Sequence, residues 1–244
     1  MNRVDARVLV VGVGGLGCPA ALALALAGVG HIGLSDDDVV ERTNLHRQIL
    51  FDDADVGSPK LDAAARALSR VSPDLDVALH RERLTPASAA RLVRAYDVVV
   101  EGSDNFATKF LAADACVLAR VPIVHASAVR WIGTAMAVGR SARPCYRCIF
   151  EDLPAGDPPN CAEAGVMGPV VGVVAAIQAD LALSLLDADG ASSAVEGQLV
   201  SFDGRTDALR RRRVPRRPGC PLCGEAPTIH RIEPRAYETP ALAG

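Results

Sequence analysis

Three polar constellations in this chain have residue types suited to a phosphate-rich nucleotide. The first is Gly12-Val13-Gly14-Gly15-Leu16-Gly17, a G-x-G-x-x-G loop. Glycines let the backbone turn tightly and approach phosphate, and the start of a following helix favours an anion. The second runs from Asp36-Asp37-Asp38 through Asn44 to Arg47 and Gln48. In a dinucleotide-binding fold one acidic residue, about twenty positions past the glycine loop, holds the ribose hydroxyls. Here Asp36 takes that place, and Asn44, Arg47 and Gln48 follow as hydrogen-bond donors. That set suits a ribose together with a triphosphate, which points to ATP rather than NAD. Asp37 and Asp38 have a local alternative as caps of the next turn. Lys60 falls in the first turn of an expected helix, where a cation opposes the helix dipole; a phosphate ligand explains the placement. The third constellation is Asp104-Asn105. A carboxylate there suits Mg²⁺, which is commonly bound by one or two carboxylates plus substrate phosphates. Either residue would also serve as a helix N-cap.

Seven cysteines are present. Cys145-Tyr146-Arg147-Cys148 and Cys220-Pro221-Leu222-Cys223 are two C-x-x-C pairs. Together they supply four thiolates, the ligand set of a closed, structural Zn²⁺ site. No thioredoxin-like pattern surrounds them to favour a redox role. Cys161 stands in a Pro- and Gly-rich stretch, 152–168, read as a long loop, where a thiol could be reactive. Cys18 and Cys116 fall in apolar helices and read as small core residues.

These groups need elements to position them. Strands are expected at Val8–Val11, His31–Ser35, Asp76–His80, Asp97–Val100 and Ile123–Ala128. Helices are expected at Leu16–Ala27, Pro59–Val71, Pro86–Ala95 and Phe106–Ala119. Ser58 and Pro59 give the second helix a cap and a first position. This alternation implies βαβ units, a Rossmann-like, mostly parallel sheet and helices on both faces. The rhythm then changes. Thr134–Val138 follows the fifth strand with no helix between, and Leu199–Phe202, Asp203-Gly204 and Leu209–Val214 resemble a hairpin. The α/β sheet should therefore be extended by antiparallel strands. Pro169–Leu186 is a strongly apolar helix. One domain is expected over 1–224, with a loose tail over 225–244.

Bulk composition sets outer limits. Hydrophobic residues make up 50% of the chain and aromatics only 4%, so the core should be largely Ala, Val and Leu. Net charge is −3, and Arg210–Arg213 is the one dense basic tract, so no general nucleic-acid affinity is expected. No apolar run is read as a membrane span. Met1–Arg7 lacks the apolar region of a signal peptide, so a cytoplasmic protein with free or metal-bound thiols is expected.

From Val8 to Cys223 these motifs resemble the ThiF/MoeB/HesA-type adenylating enzymes, relatives of the ubiquitin-activating enzymes. The resemblance is carried by the Gly12–Gly17 loop, Thr43-Asn44-Leu45-His46-Arg47-Gln48, Lys60, Ser103-Asp104-Asn105, both cysteine pairs, and the run from Cys161 to Pro169. It implies a homodimer with a zinc-stapled core. It implies ATP-dependent adenylation of the C-terminal Gly-Gly carboxylate of a small ubiquitin-like sulfur-carrier protein, releasing pyrophosphate. Gly12, Gly14, Gly15, Asp36, Asn44, Arg47, Gln48, Lys60, Asp104 and Asn105 would then form the ATP site, with Asp104 on Mg²⁺. Arg47, Lys60 and Asp104 would be catalytic. Cys161 matches a cysteine that some relatives use for acyl transfer. A separate protein is expected as sulfur donor.

Three departures from the family pattern accompany the resemblance. Relatives carry an arginine on a helix before the first strand, reaching the neighbouring subunit's site; here Arg3 and Arg7 are the candidates. Lys109 stands where arginine is common, and Ala113 where asparagine is. Two rival readings follow. An NAD(P)-dependent oxidoreductase accounts for the glycine loop and Asp36 but leaves Arg47, Lys60 and the cysteine pairs idle. A partner or scaffold subunit of the same fold would bind the carrier without releasing pyrophosphate.

Overall fold

The computed structural model describes residues 2–154, 165–188 and 193–238. Eight strands form one sheet: β1 (Arg7–Val11), β2 (His31–Ser35), β3 (Asp76–His80), β4 (Val98–Glu101), β5 (Ile123–Val129), β6 (Ile132–Val138), β7 (Gln198–Asp203) and β8 (Ala208–Arg213). Their spatial order is β3-β2-β1-β4-β5-β6-β7-β8. The first five are parallel, and β6 to β8 add on antiparallel. The order reverses between β1 and β4, and it is outside the carboxyl ends of strands at such a crevice that ligands bind.

Among the described residues five α-helices cover the sheet: α1 (Gly17–Leu26), α2 (Lys60–Val71), α3 (Pro86–Val93), α4 (Phe106–Ala119) and α5 (Gly168–Asp187). Alternating side chains of one strand go to opposite faces. Val8 and Val10 of β1 join α1, α2 and α5 in one buried cluster. Leu9 and Val11 join α3 and α4 in the other. As the composition implies, alanine, valine and leucine fill both.

Helix α5 is the spine of the first cluster, packed on β4, β5, β6, β7 and α1. It spans 20 residues and is apolar enough to cross a membrane by length and composition, which corrects the expectation that no run reaches that length. Its packing is intimate. A Cβ on Gly133 would lie 2.2 Å from Val174 Cγ2, and one on Gly204 would lie 2.6 Å from Val170 Cγ2. Buried Gln178 donates to the carbonyls of Glu101 and Val124, both at 2.8 Å, tying the helix to β4 and β5.

Several local expectations shift. Ser58 does not cap α2; Pro59 holds the cap position, its carbonyl accepting from Asp62 and Ala63. A proline ring pre-sets φ, which lets Pro59 lead into the helix without a side-chain cap. The β7–β8 connection is not a two-residue Asp203-Gly204 turn. Four residues separate the strands, and the left-handed position falls on Asp207, with φ +52°. Part of the segment expected as a tail, residues 225–238, is described, and 239–244 lie outside the described residues. Ile229 and Ile232 pack on the second cluster, and Tyr237 is buried.

What draws that segment in is a buried charge pair. Arg147 donates to both carboxylate oxygens of Asp114, at 2.8 and 2.9 Å, and to the Glu151 carbonyl at 2.9 Å. The Tyr237 hydroxyl donates to the same carboxylate at 2.8 Å. The guanidinium also sits over the Phe110 ring, 4.8 Å from its centroid. Removing one partner of such a pair strands the other charge, at a cost of about 3–5 kcal/mol. Arg147→Met should therefore lower urea-unfolding stability by an amount in that range, whereas Tyr237→Phe, which loses one hydrogen bond to the carboxylate, should lose about 1.5–3 kcal/mol.

A nucleotide-binding cavity at the switch point

The site begins with two loops that must nearly touch. Gly12 ends β1 with φ +84°, and a Cβ there would lie 3.0 Å from the Ser103 nitrogen of the β4 loop. A Cβ on Gly17 would lie 1.9 Å from the Gly12 carbonyl oxygen. Bulk at either place would push the loop off the crevice. Above them opens a cavity of about 870 Å³, at the upper end of the usual range for ligand pockets. It is lined by Gly12, Gly14, Gly15, Asp36, Asn44, Arg47, Gln48, Lys60, Asp104 and Asn105, so the whole expected nucleotide set meets in one space.

Asp36 accepts from the backbone N–H of Val13 at 2.7 Å and of Asp38 at 2.9 Å. These bonds fix its carboxylate at the loop and leave lone pairs for a ribose hydroxyl. Asp37 and Asp38 are not turn caps. Arg83 donates to Asp37 at 2.7 Å and to Asp38 at 3.2 Å. Lys60 donates to Asp38 at 2.8 Å and stands 3.9 Å from Asp36. Lys60 is only 6% exposed, so these carboxylates also explain a cation at this helix start. Lys60 and Arg83 hold the Asp38 carboxyl below its ordinary value despite partial burial.

Asn44 closes a 3-10 turn, and its carbonyl accepts from the N–H of both Arg47 and Gln48, bringing the three side chains to the cavity. The Asn44 amide also donates to Glu41. A Cβ on Gly15 would lie 3.2 Å from Cγ and Cδ of Arg47, so the arginine stem lies directly on the glycine loop. Among the described residues no carboxylate pairs with Arg47; its recorded contact is His46 Nε2 at 3.4 Å. Asn105 caps α4, accepting from Thr108 N–H at 2.8 Å. That leaves Asp104 as a lining carboxylate with no recorded partner among the described residues, whereas Asp36, Asp37, Asp38 and Glu41 are all engaged. An unengaged carboxylate facing a phosphate-sized space is the donor Mg²⁺ requires.

In the cavity wall, where Lys109 and His125 are lining residues, stands a cluster whose Glu101 and His125 were not foreseen from the sequence. Glu101, Lys109 and His125 are all buried. Glu101 accepts from Lys109 at 2.8 Å and His125 Nδ1 at 3.3 Å. Despite its burial, Lys109 and His125 hold its carboxyl down to about 2. Burial pushes the His125 imidazole below its ordinary value, which outweighs Glu101. The one available signal was a glutamate closing the valine run of β4.

The four cysteines of the two pairs do converge, with all sulfurs within 4.8 Å of one another. Cys145 and Cys220 are 3.6 Å apart, and Cys148 and Cys223 are 3.4 Å apart. Sulfurs about 2.3 Å from a tetrahedral Zn²⁺ would stand only slightly farther apart. Hydrogen bonding to Cys223, burial and the neighbouring sulfurs push the Cys145 thiol up, so four thiolates here need a cation. Cys18 and Cys116 are fully buried in α1 and α4, as expected. Cys161 lies outside the described residues. Arg3 and Arg7 are engaged within this chain, the former with Asp187 and the latter with the Ala95 carbonyl and the Tyr96 ring.

A parallel sheet with its switch-point cavity, glycine loop and ribose-placed aspartate defines the nucleotide-binding α/β class. Within it the chain belongs to the ThiF family, whose model matches residues 3–222. It is similar to "Adenylyltransferase and sulfurtransferase MOCS3" of Bos taurus, 47% identical over 233 residues, covering 94% of this chain and 50% of that protein. The Anopheles gambiae protein of the same name is 42% identical over 232 residues, 93% of this chain and 52% of its own length. The chain thus spans about half the length of these curated relatives. The crystal structure of E. coli MccB with ATP has the same fold, with TM-score 0.77, 24% identity, and coverage of 91% of this chain and 68% of that one.

Two outcomes follow. The purified protein should carry about one zinc per chain by elemental analysis, and Cys220→Ser should lose most of it and melt at lower temperature. Stability should fall as pH drops. His125 binds a proton more weakly folded than unfolded, so loss starts below its ordinary value of 6.5. Glu101 contributes stability above about pH 4.5 that is lost as pH falls towards about 2. Relative to wild type, His125→Gln should flatten the loss between pH 6.5 and 4.5 in denaturant titrations.

Proposed function

We propose that this chain uses ATP and Mg²⁺ to adenylate the C-terminal Gly-Gly carboxylate of a ubiquitin-like sulfur-carrier protein. The observation that carries this reading is Arg47 laid on the glycine loop, without a carboxylate partner among the described residues, in the cavity that also holds Asp104. A cation seated on the glycine loop suits the extra negative charge of a triphosphate better than the pyrophosphate of a dinucleotide. The names of the MOCS3 relatives, adenylyltransferase and sulfurtransferase, support the same chemistry.

A carboxylate is ionised at neutral pH, so attack on the α-phosphorus needs no general base. The new bond joins a carboxylate oxygen to the α-phosphorus. The bond broken joins that phosphorus to the bridging oxygen, and pyrophosphate leaves with the electron pair. The barrier is the approach of an anion to a polyanion, so preorganised positive charge is the main catalytic resource. Asp36 holds the ribose, the glycine loop takes the phosphates, and Arg47 and Lys60 neutralise charge that develops there. Mg²⁺ held by Asp104 would supply further neutralisation. The acyl-adenylate then meets a sulfur nucleophile from a separate donor protein, in a cytoplasmic homodimer.

Exchange of labelled pyrophosphate into ATP should require a Gly-Gly carrier. Arg47→Ala or Asp104→Ala should reduce exchange at least a hundredfold while the melting temperature moves little. Carrier binding without exchange by the wild-type chain would favour the scaffold reading. Binding of NAD in preference to MgATP would favour the oxidoreductase.

A further inference from the structure

No step above is assigned to the buried Glu101–Lys109–His125 cluster, whose Lys109 and His125 line the cavity, and it touches the loop that carries Asp104. Glu101 is the last residue of β4 and is fully buried. One of its oxygens accepts from the Ser103 backbone N–H at 2.8 Å and from the Ser103 hydroxyl. The other accepts from Lys109 and His125. Lys109 is anchored in turn on the Ala126 carbonyl at 2.7 Å, and the His125 ring stacks on Tyr146, 4.4 Å between centroids. Glu101 is therefore a post. Its far side is pinned to α4 and β5, and its near side grips the residue before Asp104.

Stability alone does not account for this arrangement. Buried ionic groups gain little over apolar replacements of similar volume, so such a cluster is weak evidence for stabilisation. Position is what it does supply. Ser103 N is the atom closest to Gly12, so displacing Ser103 moves the β4 loop against the glycine loop as well as moving Asp104. Charge is also balanced. With His125 neutral, donating from Nδ1 to Glu101, the carboxylate and the ammonium cancel, and the cluster adds no net charge beneath Asp104. His125 Nε2 is left buried and unpartnered, so the ring's recorded polar contact is the one to Glu101.

We propose that His125 is a positioning residue, acting through Glu101 and Ser103 to hold the Asp104 carboxylate where it receives the Mg²⁺ of bound MgATP. This rests on the reading of Asp104 given under the proposed function. Because it concerns nucleotide binding, it is testable without turnover.

The test is a double-mutant cycle on the full chain, with ATP affinity measured by calorimetry in magnesium chloride and again in EDTA. Wild type should bind ATP more tightly with magnesium. His125→Leu should lose most of that gain, about tenfold, with little change in EDTA. His125→Gln, which keeps a donor towards Glu101, should retain it. Asp104→Asn should lose the gain, and His125→Leu combined with Asp104→Asn should be no worse than Asp104→Asn alone. Losses that multiply in the double variant would overturn the proposal, as would wild-type magnesium dependence in His125→Leu. Should His125→Leu fail to fold, Ser103→Ala removes the hydroxyl half of the same linkage, leaving the backbone N–H bond, and should cost about threefold in the magnesium-dependent gain; no loss there overturns it too. Absent pyrophosphate exchange alongside an intact cycle would count against the adenylation reading alone. Equal wild-type affinity in magnesium and EDTA would overturn both the Asp104 role and this proposal.

Discussion

The near-contact between the loops that end β1 and β4 is the constraint on which the site depends. With Gly12 at a positive φ and the Ser103 nitrogen 3.0 Å from where its Cβ would stand, the loops close the floor of the cavity by backbone alone. Everything that matters chemically is then hung from one loop or the other. Asp36 reaches Val13 N–H of the first loop, Arg47 rests on Gly15 of the same loop, and Asp104 leaves from the second. The sheet supplies the crevice, because the two parallel strands flanking it lead their connections away in opposite directions.

A second level of order lies at the opposite side of α4. The cysteine pairs are 75 residues apart in sequence, yet their sulfurs meet. Arg147, between the first two cysteines, is locked onto Asp114 of α4, and Tyr237 closes the same carboxylate from the chain's far end. The metal site and the ion pair thus share one short turn, Tyr146–Cys148, and that turn also presents Tyr146 to the cavity wall beside His125. The cysteine cluster and the nucleotide cavity are neighbours across this turn.

Much of this was legible beforehand, for physical reasons. Valine-rich runs place β1 and β4 within a residue, and His31–Ser35, Asp76–His80 and Phe106–Ala119 fall as read. Glycine spacing and C-x-x-C spacing report local geometry, so the loop and the sulfur cluster were visible too. What escaped depends on distant packing. Lys60 looked like a bare phosphate ligand because its partner Asp38 is brought to it only by the bridge between Val39 and Pro59. Glu101, Lys109 and His125 sit on β4, α4 and β5 and form a unit only once the sheet is assembled. Tyr237 sits among prolines and polar residues with no periodicity, and nothing local foretold its burial.

Helix α5 is keyed along its N-terminal half. Val171 meets Gly15, Val170 meets Gly204, Val174 meets Gly133, and Gln178 hooks the carbonyls of β4 and β5. A rod notched at so many points against different elements can neither slide nor roll without several collisions at once. Its only remaining freedom is to travel together with its surroundings. The glycine loop and the turn at Trp131 and Gly204 both bear on the first turn of this helix, through Val171 and Val170, so the cavity and the antiparallel part of the sheet are mechanically coupled through one helix end.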